Sequence, residues 1–173
     1  MRHTSTRRVT ALAVALAAAG GLSWGGVALA SPTGPAAGEI HVYVVNTSTS
    51  EDTPNTVLIT GAFSDHGTAS QNLLTLAKGT ITVNLDMLNA ITNAESFGHF
   101  NQASCSFWGM ATAVPIPVVR GTGAYAGITG SLTGTVNFAA QGSLTASGQC
   151  NQDQNAPAVA QVVLAVVAGK VSF

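Results

Sequence analysis

The chain has 173 residues, of which only 8% are charged, and its formal net charge is −1 at pH 7. An ordinary soluble domain has about 25% charged residues, and a disordered chain is richer still in polar and charged residues. Six lysine and arginine residues are too few for the basic stripe that nucleic-acid binding requires. The composition therefore excludes a disordered chain and a nucleic-acid-binding protein, and the length predicts one domain.

Residues 1–30 have the parts of a secretory signal peptide. Arg2, Arg7 and Arg8 precede an apolar run over 11–19, and the small-x-small site Ala28-Leu29-Ala30 follows. We predict cleavage after Ala30 and a secreted, extracytoplasmic protein, exported by the general secretory route or, given the paired arginines, by the twin-arginine route. The apolar run is too short for a permanent membrane span, so no transmembrane segment is expected after cleavage.

Cleavage leaves 143 residues with three basic and seven acidic side chains, a net charge of −4. Cys105 and Cys150 are the two cysteines, and in an oxidising compartment we predict a disulfide between them. In the chain-entropy model this bridge contributes roughly 4 kcal/mol. Two free thiols or a metal-binding pair are the alternatives.

The first half of the mature chain is dominated by strand patterns after a flexible Pro- and Gly-rich lead-in over 31–38. Asp65-His66-Gly67 is typical of a turn. Segment 87–94 is either one helical turn or a broad loop. Four strands are predicted here, at 39–46, 56–64, 69–76 and 80–86. In the last of them, apolar and polar residues alternate without exception.

The second half continues as strands, predicted at 96–100, 103–111, 114–119, 128–139, 143–150 and 157–173. Pro115 and Pro117 cannot donate to a ladder, so their strand must be an edge, a bulge or a rim segment. If the strands from 103 to 150 alternate in direction, Cys105 and Cys150 lie at the same end.

These elements predict an all-β domain over 39–173, either a sandwich or, as we favour, a closed antiparallel β-barrel of about eight strands without a long helix. Residues 158–168 are apolar on both faces and must bury both. One face would fill the barrel. The other would pack on the lead-in, on 87–94 or, as we predict, on another subunit of a homo-oligomer.

No strong catalytic or cofactor motif is present. Residues 121–126 match the loose pattern G-x-G-x-x-A, but no helix pattern follows and no acidic residue appears before Asp153. We expect no cofactor there, and instead a glycine-rich connection in which Tyr125 plugs the barrel mouth. The histidines lack metal-site spacing, so no metal is expected.

Weak candidate catalytic residues lie on the first strand and near the middle of the chain. Glu39, His41 and Tyr43 share one face by period 2, and could support acid–base chemistry or form a solvated outer face. His99 is flanked by aromatic residues, and is either a functional histidine or a rim or core histidine with one hydrogen bond.

The segments 97–100 and 118–127, with Gly130, resemble the allene oxide cyclase/dirigent superfamily, as do the surroundings of 65–67 and 78–80. The resemblance implies a small secreted or organellar barrel of about eight antiparallel strands with a cavity, often assembled as a trimer. The plant cyclases use a carboxylate and an amide on the first strand. Here Asn46 takes the amide position, but Val44 takes the carboxylate position, which argues against the cyclase reaction.

We therefore predict an exported barrel that binds a small apolar ligand, lipid-like or phenolic, without catalysis. The weak candidate ligand-binding residues are Tyr43, Asn46, His99 and Tyr125. The alternatives are an isomerase or cyclase of the resembled type and a cell-surface structural or interaction protein. An open apolar cavity would favour the first two, and a filled barrel the third.

Overall fold

The computed structural model describes residues 35–50, 52–94, 97–151, 153, 156 and 158–173. The predicted signal peptide and the first part of the lead-in lie outside these ranges. The described elements are nine strands and one helix: β1 (Gly38–Asn46), β2 (Asn55–Gly61), β3 (Asp65–Ser70), β4 (Leu73–Leu76), β5 (Gly79–Val83), α1 (Asp86–Thr92), β6 (His99–Asn101), β7 (Ser106–Gly123), β8 (Thr129–Gln141) and β9 (Ala160–Ser172).

Eight of these strands form a closed antiparallel barrel, as predicted. The strand order is β5-β4-β3-β2-β1-β9-β8-β7, and pairing of β5 with β7 closes the ring. Strand β6 pairs only with the first residues of β7. We call the end that carries α1, the 47–54 connection and the 142–159 connection the upper end, and the end that carries 124–128 the lower end.

Strand β7 explains the two prolines. It pairs with β6 at its upper end and with β5 from Val118 to Gly123, and between these stretches it has no strand on that side. The carbonyl of Pro117 points to this side, where it accepts a hydrogen bond from the Asn84 N–H at 2.8 Å. Pro115 and Pro117 therefore lie on an edge without a strand partner, one of the three alternatives predicted for this segment. A β-bulge, marked by a register shift between Ala111 and Val114, lies just before them.

Several predicted strand boundaries were wrong. Residues 103–111 and 114–119 belong to one bent strand, because the bulge at Ala113 (φ 53°) lets the chain continue in the same direction. Residues 65–67 begin β3 rather than forming a turn, and the turn lies at 62–64. The predicted strand 69–76 is divided at Gln71, whose φ is 51°. Segment 143–150 forms only an isolated bridge between Leu144 and Cys150.

The core fills the barrel with alternate residues of each strand. Ile40, Val42, Val57, Ile59 and Val167 are all at most 4% exposed. Strand β9 lies between β1 and β8. Its odd-numbered residues are more buried and face inward, and its even-numbered residues face outward. One apolar face of the last strand thus fills the barrel as predicted, and the other remains on the outer surface.

The two cysteines lie together at the upper end, with Cα atoms 5.3 Å apart and a disulfide between them, as predicted. The bridge joins the residue before β7 to the connection between β8 and β9. The predicted strand directions around it were wrong, but both ends of the bridge still meet because β8 and β9 extend as far upward as β7.

Within the described part of the chain, no helix has the length and apolar character needed to cross a membrane.

Candidate functional site

A small apolar cavity lies inside the upper half of the barrel. Its volume is about 140 Å³, and thirteen of its fifteen lining residues are apolar. The two polar residues, Asn55 and Gln71, lie at the rim where β2 begins and β3 ends. None of the lining residues carries a titratable side chain, so the cavity offers apolar contact and two amides but no acid or base.

Helix α1 covers part of this cavity. Leu85, Leu88 and Ile91 recur every three residues, pack against the core as half-buried side chains, and form the inner face of the helix. Leu85 and Leu88 line the cavity directly. The helix has seven residues, none of them fully buried, and its first turn has no side-chain cap. The cavity wall on this side therefore depends on Leu88 in a short helix and on Leu85, the N-cap residue before it.

The lower end is closed by Tyr125. Tyr125 is 0% exposed, its ring lies 5.2 Å from the ring of Phe63, and its hydroxyl donates to the Asp65 carboxylate. Gly121 passes so close to Tyr125 that a Cβ there would overlap the Tyr125 backbone and the Ile128 side chain. The predicted role of Tyr125 as a plug in the barrel mouth is thus what the geometry shows.

Asp65 is the one buried charged residue among those described, and it is 6% exposed. Burial raises the pKa of this carboxyl, but hydrogen bonds from the Tyr125 hydroxyl and from backbone N–H groups of His66, Lys78 and Ala77 outweigh burial and lower the pKa below its ordinary value. The same burial and the contact with Asp65 raise the pKa of Tyr125. Asp65 is therefore a charged carboxylate that accepts hydrogen bonds from neutral donors, and its role with Tyr125 is structural.

The first-strand candidates lie outside the barrel. Glu39, His41 and Tyr43 do share one face, with the His41 Nε2 atom 4.0 Å from the Glu39 Oε1 atom. Buried Ile40 and Val42 alternate with them, so this face is the outer one. Val44, at the position where the resemblance calls for a carboxylate, does line the cavity and supplies only methyl groups there.

The other candidates are also separate from the cavity. Asn46 holds the 47–54 connection, since its Oδ1 accepts from the Ser48 N–H at 2.6 Å and its Nδ2 donates to the Thr53 carbonyl at 3.3 Å. His99 is exposed on β6, and its ring lies 4.7 Å from the Trp108 ring. Both rings border an outer groove of about 640 Å³ between α1 and β7.

The outer surface of the barrel has an apolar half and a threonine half. One lateral row of paired residues shows both, passing from β7 through β8, β9 and β1 to β5 and back to β7: Met110, Asn137, Leu164, Val45, Thr56, Thr68, Thr75, Thr80 and Thr122. A contiguous patch on β1, β2 and β9, which we call the outer apolar patch, has side chains that are 37–48% exposed: Tyr43, Val45, Leu58, Val162, Leu164 and Val166.

Sequence reasoning missed the residues that shape the cavity. The spacing of Leu85, Leu88 and Ile91 was the available signal for α1, but three residues do not distinguish a helix from a loop. No local pattern links Asp65 to Tyr125, which are 60 residues apart. Among the described residues, no three His, Cys, Asp or Glu side chains come together as metal ligands would.

Searches against protein-family models, curated proteins and solved structures find no match, so the function of this barrel is argued from its own geometry.

Proposed function

We propose that this protein is an exported β-barrel that binds a small apolar molecule, of about the size of one aromatic ring, in the cavity beneath α1. The carrying observation is the 140 Å³ cavity with an almost wholly apolar lining. An apolar cavity of about 150 Å³ stays free of water and accepts benzene. The sequence left two ligand types open, lipid-like and phenolic. A phenolic ring fits this volume better than a long lipid chain does, so we favour the phenolic type.

Binding is favoured over isomerase or cyclase chemistry. General acid–base catalysis needs a titratable group within about 3 Å of the reacting atom. The cavity lining contains none, and Glu39, His41, Tyr43 and His99 lie on outer surfaces. Membership of the allene oxide cyclase/dirigent superfamily remains a proposal, supported by the strand number and by the way the 121–127 segment encloses Tyr125.

The binding test is isothermal titration with phenol, comparing two substitutions on β9. Ala165 faces the cavity, and Ala168, on the same strand, faces outward. We expect Ala165→Leu to abolish phenol binding because it fills the cavity, and Ala168→Leu to leave it intact. Val136→Ala, which enlarges the cavity, should retain binding, and circular dichroism of the Ala165→Leu protein checks that it is folded. Unchanged phenol affinity in a folded Ala165→Leu protein would contradict the proposal.

A second proposal concerns assembly. The outer apolar patch continues across β2, β1 and β9, where Tyr43 is paired with both Leu58 and Val166. In the threonine half, threonine side chains suit a strand and also contact water, so apolar side chains are not required on the outer surface of these strands. Valine and leucine in the patch therefore call for a covering surface, and we propose that a second copy of this chain supplies it, in a homo-oligomer that the resemblance suggests is a trimer.

Light scattering at micromolar concentration tests the assembly. We expect an oligomeric mass for the native protein and a monomeric mass for the Val162→Lys and Leu164→Lys variants. Thr75→Lys adds the same charge on the exposed face of β4, on the threonine half, and should leave the oligomer intact. A monomeric native protein would rule out this proposal without affecting the proposal on ligand binding.

A further inference from the structure

A polar cleft adjoins the apolar cavity at the upper end. Its volume is about 570 Å³, and it lies where the β3–β4 turn, the end of β5 and the start of α1 meet. Gln71, Val83 and Leu85 line both the cleft and the cavity. The two spaces are therefore neighbours across a wall of three shared side chains, one of them an amide.

The cleft is rich in side-chain amides. Gln71, Asn72, Asn84 and Asn89 line it together with the carboxylate of Asp86. Each amide offers two donors and an acceptor. Asn84 already accepts a hydrogen bond from the Asp86 N–H at 2.7 Å. For the other three, the structure contains no side-chain hydrogen bond to any described residue, so their donors and acceptors are open to a ligand.

The charge of the cleft disfavours an anion. Asp86 is the single charged residue that lines it, and its carboxylate can accept a hydrogen bond from a hydroxyl group. A neutral hydroxyl group can donate and accept hydrogen bonds at the same time, which suits the side-chain amides that line the cleft.

We propose that the ligand of this barrel is an amphiphile, with a ring-sized apolar group in the cavity and a neutral, hydroxylated head, of the sugar or polyol class, in the amide cleft. This inference rests on the proposed binding function and adds the chemistry of the second half of the ligand. The apolar cavity would supply most of the affinity, and the cleft would select the head group.

The test compares two probes, phenol and phenyl β-D-glucopyranoside, by isothermal titration. We expect the glucoside to bind about tenfold more tightly than phenol, as one or two additional hydrogen bonds would produce. Removing two amides that line the cleft but not the cavity, with Asn72→Ala and Asn89→Ala, should cancel this preference and leave phenol affinity unchanged. Neither substitution removes a side-chain hydrogen bond to a described residue, and alanine at position 89 suits a helix.

Gln149→Ala is the matched control, since it removes an exposed amide in the 142–159 connection, outside the cleft. It should not change the affinity for either probe. Equal affinity of phenol and the glucoside, or a glucoside preference that survives Asn72→Ala with Asn89→Ala, would overturn this inference while the apolar cavity stands. If neither probe binds, the proposed function fails and this inference fails with it.

Discussion

The two ends of the barrel are closed by different means. At the lower end, Tyr125 is fully buried, contacts Phe63 and donates to the buried carboxylate of Asp65. At the upper end, half-buried Leu85 and Leu88, at the start of α1, lie over a cavity of about 140 Å³. Close packing and a satisfied polar pair make the lower end a structural plug, whereas the upper end contains the apolar cavity in which we propose that a ligand binds. The contrast separates the packed end of the barrel from the end with the proposed binding cavity.

The largest expected effect is at the plug. Tyr125→Ala should lower the free energy of unfolding by about 3–5 kcal/mol, because it removes a fully buried aromatic ring and one of the hydrogen-bond donors to the buried Asp65 carboxylate. Urea denaturation followed by circular dichroism measures this loss. Trp108→Ala removes a larger side chain that is 53% exposed, and should cost far less. Equal losses for the two variants would break the comparison.

The disulfide should come next in magnitude. The paired variant Cys105→Ala with Cys150→Ala should lower the free energy of unfolding by about 2–4 kcal/mol, since the bridge restricts the unfolded chain. Of the described residues between Gln141 and Val163, none lines the cavity, so affinity for phenol should not change. Urea denaturation and titration of the same preparation test both statements, and lost phenol binding would show that the bridge shapes the cavity.

Leu88→Ala separates the two ends further. Because Leu88 is only half-buried and already borders a cavity, its truncation should cost about 1–2 kcal/mol, less than for a fully buried leucine. The enlarged cavity should accept probes bulkier than phenol, such as naphthol, that the native protein excludes. A loss as large as that of Tyr125→Ala would mean that α1 is as structural as the plug.

The smallest effect is the pH dependence of the plug. The folded pKa of Asp65 is lowered, so the unfolded chain takes up the proton first, and stability should fall as the pH drops below about 4. For one proton the slope cannot exceed about 1.4 kcal/mol per pH unit. The folded pKa of Tyr125 is raised, so stability should also fall above about pH 10. Tyr125→Phe should remove the alkaline fall, and an unchanged profile in Asp65→Asn would refute the acidic one.

Local patterns were sufficient for much of the barrel. Alternation of apolar and polar residues located β5 and β8 to within a few residues, because one face of a strand contacts the core and the other contacts water. The unpaired edge at Pro115 and Pro117 was one of the alternatives that the missing donors of proline indicated. Boundaries failed where one residue changes the chain direction, as at Gln71 and Ala113, because a positive φ at a non-glycine residue has no distinct sequence signal.

Strand periodicity and residue type were sufficient to predict the all-β class and the disulfide, to favour a barrel over a sandwich, and to predict Tyr125 as a plug. The tertiary structure set which face of each strand points inward. It turned Glu39, His41 and Tyr43 outward, brought Asp65 to Tyr125 across 60 residues, and set the amides of 71–89 beside an apolar cavity. Alternation of apolar and polar residues shows that the two faces of a strand differ, whereas closure of the barrel determines which face contacts water.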